Sequence, residues 1–128
     1  MLKLLSLVLL TGAVAFALGI KTGDIQPTPA NSGEAMYKAY CAACHGVAGK
    51  GDGPAVNALK KRPADLTQLA REHNGKFPAV EVINYINDGS HEMPVWGILF
   101  RSLAPDNEAL PAIRVRVLEE YIKTLQAQ

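Results

Sequence analysis

Five consecutive residues, Cys41-Ala42-Ala43-Cys44-His45, hold the side chains whose types and spacing are best suited to chemistry. Two thiols separated by two residues can each add to one of the two vinyl groups of a porphyrin, and the imidazole that follows can then ligate the iron. The spacing therefore favours covalent attachment of one haem through Cys41 and Cys44, with His45 as an axial ligand.

The Cys-x-x-Cys pattern also occurs in zinc sites, thiol redox pairs and structural disulfides. A zinc site needs two further ligands, but the other histidines, His73 and His91, lie far apart and the chain has only two cysteines. A redox pair normally follows a buried strand, and no Val/Ile-rich strand precedes Cys41. A haem-free domain with a structural disulfide between Cys41 and Cys44 stays open as an alternative.

Three motifs in combination resemble those of small bacterial class I c-type cytochromes. They are the pentapeptide followed by Gly46, the run Gly51-Asp52-Gly53-Pro54-Ala55, and the run Met93-Pro94-Val95-Trp96-Gly97. The resemblance extends over about residues 31–126. It implies an all-α fold of four or five helices around one haem, with electron transfer rather than catalysis as the function. It also implies that His45 and Met93 are the two axial ligands.

Two residues of the same predicted loop, Met93 and His91, are candidates for the sixth ligand of the iron. Met93 follows a predicted helix and precedes Pro94, as in the cytochromes, whereas a lone Met is more often a core residue. His91 lies two residues earlier, and its polar neighbours Ser90 and Glu92 favour a solvent-facing side chain. If Met93 does not bind, the iron would keep an open position, as in a haem enzyme or gas sensor.

Two further residues receive roles from the resemblance. The carbonyl of Pro54 is expected to accept a hydrogen bond from the free ring nitrogen of His45, which would orient the ring and make it a more electron-rich ligand. The alternative for Pro54 is a turn set by its ring. Trp96, the single tryptophan, either donates its indole N–H to a haem propionate or packs in the core, and both roles stay open.

The N-terminal segment, residues 1–17, is typical of a secretory signal peptide. Lys3 is followed by an uncharged run to Ile20, and Ala15-Phe16-Ala17 supplies a small-x-small cleavage site. An uncleaved membrane anchor over residues 4–20 is the alternative. A linker (18–31) and a cytochrome domain (32–128) would follow, so we expect a periplasmic protein, either soluble or tethered to the inner membrane.

The charge balance narrows the class of partner. The chain has 13 Lys and Arg against 12 Asp and Glu, which argues against a nucleic-acid binder, since such proteins present a strongly basic face. We expect redox proteins, a donor and an acceptor, as partners. The chain would then be either a free carrier or the haem c subunit of a larger oxidoreductase complex.

The pattern of caps and apolar spacing predicts the helices. Ser32 caps a helix that runs to the haem motif, and its Gly33 and Tyr37 share a face. By the resemblance, that face crosses the last helix at Leu118 and Tyr121. Shorter helices are predicted over 66–72 and 78–88, with a loop over 90–97.

A final helix is predicted from about Pro111. Its apolar face would hold Ile113, Val117, Leu118, Tyr121, Ile122 and Leu125. Its solvent face would hold Arg114, Arg116, Glu119, Glu120 and Lys123.

Overall fold

The structure, a computed structural model, describes residues 28–90 and 92–127. Six α-helices form there: α1 (Gly33–Tyr40), α2 (Ala42–His45), α3 (Leu69–Glu72), α4 (Ala79–Asp88), α5 (Trp96–Ser102) and α6 (Leu110–Thr124). Short 3-10 turns occupy 56–58 and 66–68, and these ranges contain no strand. The prediction of an all-α fold is confirmed, and the helices exceed the expected four or five because α2 and α3 are single turns.

Several predictions fall on residues that the structure does not describe. The predicted signal peptide or anchor within 1–20, the linker up to residue 27, and His91 lie outside the described ranges. Of the part that is described, no helix combines the length and apolar character needed to cross a bilayer.

Helix α1 forms as its sequence predicts. The side chain of Ser32 accepts a hydrogen bond from the backbone N–H of Ala35 at 3.2 Å, which satisfies one of the free donors at the helix start. Glu34, in the first turn, pairs with Lys38 one turn later at 2.6 Å. The helix ends at Tyr40, Cys41 caps it, and α2 begins at Ala42, so α1 leads directly into the cysteine motif.

The crossing of α1 and α6 is confirmed. A Cβ on Gly33 would lie 2.5 Å from the carbonyl oxygen of Val117 and 2.6 Å from Cβ of Tyr121. The rings of Tyr37 and Tyr121 lie with their centroids 5.3 Å apart. Glycine therefore permits this close contact, and Tyr37, fully buried, fills the space beside it.

The apolar core draws on every helix except α3. Its buried members are Met36, Tyr37, Cys41, Ala42, Val82, Ile86, Phe100, Val115, Leu118 and Ile122. Two of the cysteine-motif residues belong to it. Packing of Cys41 and Ala42 in the core therefore holds the first part of the motif in place.

Helix α5 corrects the predicted loop over 90–97, because the helix already begins at Trp96. No side chain caps its first turn, which removes the usual sequence signal for a helix start. Packing stabilises it instead: Phe100 is fully buried, and a Cβ on Gly97 would lie 2.8 Å from the carbonyl of Asn87 in α4. In the sequence, the aromatic residues Trp96 and Phe100, four positions apart, were the signal that could have indicated this helix.

The faces of α6 also differ in part from the prediction. Leu118 and Ile122 are buried as expected, whereas Arg114 and Glu119, assigned to the solvent face, are only 4% and 7% exposed, and Ile113 is 47% exposed. The buried guanidinium of Arg114 donates to the Thr28 carbonyl at 2.8 Å, and helical periodicity does not reveal this partner.

Candidate haem-binding site

The pentapeptide folds as one helical turn at the end of α1. Cys41 is the N-cap of α2 and is 8% exposed, while Cys44 and His45 are half-buried. Gly46 ends the turn at a φ of 79°, where its N–H donates to the Ala42 carbonyl at 2.9 Å. Cys41 and Cys44 are three residues apart, so they share one side of the turn. The turn thus presents two thiols together, with the imidazole immediately after them.

Both cysteines are free thiols in this structure. Burial, with the neighbouring Cys44 as a smaller cause, raises the pKa of the Cys41 thiol to about 12. A thioredoxin-like pair relies instead on a thiol whose pKa is lowered, because the thiolate is the nucleophile. Within the described residues, no cluster of three or more His, Cys, Asp or Glu could hold a metal ion. The raised pKa of Cys41 therefore argues against a thioredoxin-like nucleophile at this position.

The ring of His45 is oriented by a backbone carbonyl. Its Nδ1 lies 3.0 Å from the oxygen of Ala64, and since a carbonyl only accepts, Nδ1 carries the proton. Nε2 then keeps its lone pair for a metal. Burial lowers the pKa of His45, although the hydrogen bond to Ala64 acts in the opposite direction. The neutral imidazole, the form that ligates iron, is therefore favoured.

The acceptor for His45 corrects the prediction made for Pro54. Residues 53–55 are held to the carbonyl end of α2, where Gly53 N–H donates to Cys44 at 3.1 Å and Ala55 N–H donates to Ala43 at 2.9 Å. Pro54 is exposed there, and the predicted hydrogen bond from the ring is made to Ala64.

The segment that carries Ala64 is held against the glycine-rich loop after the motif. The Leu66 N–H donates to the Gly49 carbonyl at 2.7 Å, and Arg62 Nε donates to the Gly51 carbonyl at 3.1 Å. Sequence reasoning missed Ala64 because a backbone acceptor depends on chain path and not on side-chain type. The local signal for this acceptor was Pro63, the residue before Ala64, because a proline was expected beside the His45 ring.

Met93 closes a tight turn between α4 and α5. Its N–H donates to the Ser90 carbonyl at 2.7 Å, and the Ser90 N–H donates back to the Met93 carbonyl at 3.3 Å. Gly89 opens this turn at a φ of 68°, and a Cβ there would lie 2.6 Å from the Met93 oxygen. The Met93 side chain is half-buried and packs against the core.

Trp96 connects the two motifs. Its ring centroid lies 5.3 Å from that of Tyr40, which directly precedes Cys41, and 6.1 Å from that of Phe100. The packing role considered for Trp96 is therefore present. Its contact brings the residue before the cysteine motif and the first residue of α5 together.

The donor set fits a haem. Two free thiols lie on one helical turn, and the neutral His45 beside them keeps Nε2 available. Together with the all-helical fold, this set is that of a c-type cytochrome. Over residues 28–101 the chain matches the sequence model of the family described as cytochrome c oxidase, cbb3-type, subunit III. The match spans more than half of the chain, and the chain belongs to this family.

The match covers the cysteine motif and the Met93 turn, and it ends within α5. No curated protein shows a significant match to the chain. Family membership confirms the resemblance to c-type cytochromes and places the protein among those that transfer electrons through haem.

Proposed function

We propose that this protein carries one haem, attached covalently through Cys41 and Cys44 and ligated by His45 and Met93, and that it passes single electrons between redox proteins. The observation that carries the proposal is the hydrogen bond from His45 Nδ1 to Ala64, which leaves Nε2 free beside two free thiols. No substrate pocket or acid–base pair is needed for such a function.

Covalent attachment of a haem to the two thiols would require no oxidant. The sulfur of each cysteine would form a bond to one vinyl carbon of a haem, and the thiol proton would end on the other carbon of the same double bond. Cys41 and Cys44, both on one turn of α2, supply the two sulfurs at adjacent positions. The proton and electron count balances within the thiol and the vinyl group.

The bound haem would supply a one-electron ferrous–ferric couple. His45 and Met93 would serve it as two neutral ligands that stay bound in both states, so little reorganisation would accompany the electron. A thioether favours the ferrous state relative to a second imidazole, and Met93 would therefore raise the potential. Tyr40, Trp96 and Phe100 form an aromatic cluster beside the motif that would help to exclude water.

We place this activity in the periplasm. The signal-like residues 1–17, or the same stretch kept as an anchor over 4–20, support export of the domain. The near balance of 13 basic and 12 acidic residues supports protein partners over nucleic acid.

A second candidate function is supported by the family description, which names a subunit of an oxidase. In that case the chain would be the haem c subunit of a larger oxidoreductase complex and would receive or deliver electrons inside it. Native mass measurement after gentle detergent extraction separates the two: a single chain supports the free carrier, and a stable complex with larger subunits supports the alternative.

Carbon monoxide binding tests the proposed ligation. The purified, reduced holoprotein should not bind carbon monoxide at neutral pH, because His45 and Met93 would occupy both axial positions of the iron. Ready binding would contradict the proposal, since it would reveal an open position as in a haem enzyme or sensor.

A further inference from the structure

The side chain of Glu92 joins two loops that lie far apart in the sequence. Its Oε1 accepts the backbone N–H of Lys60 and its Oε2 accepts the backbone N–H of Lys61, each at 3.1 Å. Two consecutive amides are thus held by the two oxygens of one carboxylate. Each oxygen of the Glu92 carboxylate thus accepts one backbone N–H.

On one side of this contact lies the turn that contains Met93. The turn is closed by the paired hydrogen bonds between Ser90 and Met93. Among the described residues, the hydrogen bonds that join 90–93 to any other segment are the two made by Glu92. Among the described residues of this turn, the carboxylate next to Met93 therefore supplies the hydrogen bonds to another segment.

On the other side lies the segment that orients His45. Four residues after Lys60, Ala64 accepts the hydrogen bond from the imidazole at 3.0 Å, and Leu66 binds Gly49 at 2.7 Å. Residues 60–64 are therefore hydrogen-bonded to the His45 ring at one end and to Glu92, in the Met93 turn, at the other. Both candidate iron ligands are tied to one backbone segment.

We propose that Glu92 is a positioning residue that holds Met93 in place as the sixth ligand of the iron. This inference rests on the proposed function, in which Met93 binds the iron. A thioether is a neutral, weak ligand, so its occupancy depends on how well the protein restricts its loop. Groups that hydrogen-bond directly to a metal ligand typically change metal-site affinity by 10–100-fold when they are removed. Glu92 acts through the backbone one residue from Met93, so we expect an effect at the lower end of this range, about tenfold.

The test compares four variants of the full-length holoprotein with the unaltered protein. Glu92→Ala removes both acceptors, whereas Glu92→Gln keeps the side-chain size and one acceptor oxygen. Glu108→Gln, at an exposed loop glutamate, is the matched control. Met93→Ala removes the proposed ligand itself. The readouts are hydrogen exchange of the Lys60 and Lys61 amides and the affinity of the oxidised protein for added imidazole, which must displace Met93.

In Glu92→Ala, exchange at both amides should become about tenfold faster because each loses a charge-assisted hydrogen bond. Imidazole should bind about tenfold more tightly because Met93 competes less well. In both amide exchange and imidazole affinity, Glu92→Gln should lie between Glu92→Ala and the unaltered protein. Glu108→Gln should match the unaltered protein in both readouts.

Two results would overturn the role of Glu92 while leaving the proposed function intact. One is unchanged amide exchange in Glu92→Ala, and the other is faster exchange with unchanged imidazole affinity, which would indicate a purely structural contact. In both, Met93→Ala would still bind imidazole far more tightly. If Met93→Ala instead keeps the original affinity, Met93 is not the ligand, and both the proposed ligation and the role of Glu92 are wrong.

Discussion

Tyr121 lies so close to Gly33 that no side chain fits between the two residues. A Cβ on Gly33 would lie 2.6 Å from Cβ of Tyr121 and 2.5 Å from the Val117 carbonyl oxygen, and neither atom belongs to a flexible side-chain end. Gly33→Leu should therefore force α1 and α6 apart and lower the free energy of unfolding by about 1–3 kcal/mol. Denaturant unfolding of the holoprotein measures this change.

Ala39→Leu is the matched control, because Ala39 is exposed on the same helix. The control should leave the unfolding midpoint almost unchanged. Equal midpoints for Gly33→Leu and the control would mean that the two helices do not pack at this point in solution.

The buried hydroxyl of Tyr37 supports the next prediction. It donates at 2.8 Å to the carbonyl of Gly46, the residue directly after His45. Burial raises the pKa of Tyr37 above its ordinary range. Gly46 also accepts from the Gly49 N–H at 3.1 Å, so its carbonyl keeps one donor if the hydroxyl is lost. Tyr37→Phe should therefore cost only about 0.5–1.5 kcal/mol in unfolding free energy.

The control for this hydroxyl is Tyr85→Phe, at a tyrosine that is 46% exposed. Thermal or denaturant unfolding should show a smaller change for Tyr85→Phe than for Tyr37→Phe. The reverse order would contradict a buried hydrogen bond between Tyr37 and Gly46.

The sixth ligand is tested by comparing Met93→Ala with His91→Ala. Met93→Ala should remove the weak far-red absorption of ferric iron bound by a thioether, lower the midpoint potential and admit carbon monoxide, because the iron loses a ligand that favours the ferrous state. His91→Ala should leave all three properties as they are. If His91→Ala opens the iron and Met93→Ala does not, the carrier has two histidine ligands and a low potential.

The crossing of α1 with α6 was implied by the resemblance to c-type cytochromes, and the structure confirms it. Local signals in the sequence were sufficient for α1 itself, where Ser32 caps the helix and Gly33 and Tyr37 share a face. Each of these features depends on residue type at short range, which a sequence shows directly. The chemistry predicted for the cysteine motif likewise depends on five consecutive residues.

The features that were missed depend on contacts between distant segments. The buried Arg114 donates to the Thr28 carbonyl, and His45 Nδ1 donates to the Ala64 carbonyl, while residues 53–55 bind the carbonyl end of α2. A backbone acceptor has no side-chain signature. Helix α5 lacks a capping side chain, so packing rather than local propensity sets its start.

The measurement that tests the central claim most directly is the intact mass of the purified red protein under denaturing conditions, combined with acid-acetone extraction. Thioether bonds survive unfolding, so the chain should carry the added mass of one haem, and the colour should stay with the protein. Cys41→Ala with Cys44→Ala should lose this added mass. A chain of unmodified mass, with all haem released into the organic phase, would contradict covalent attachment through Cys41 and Cys44.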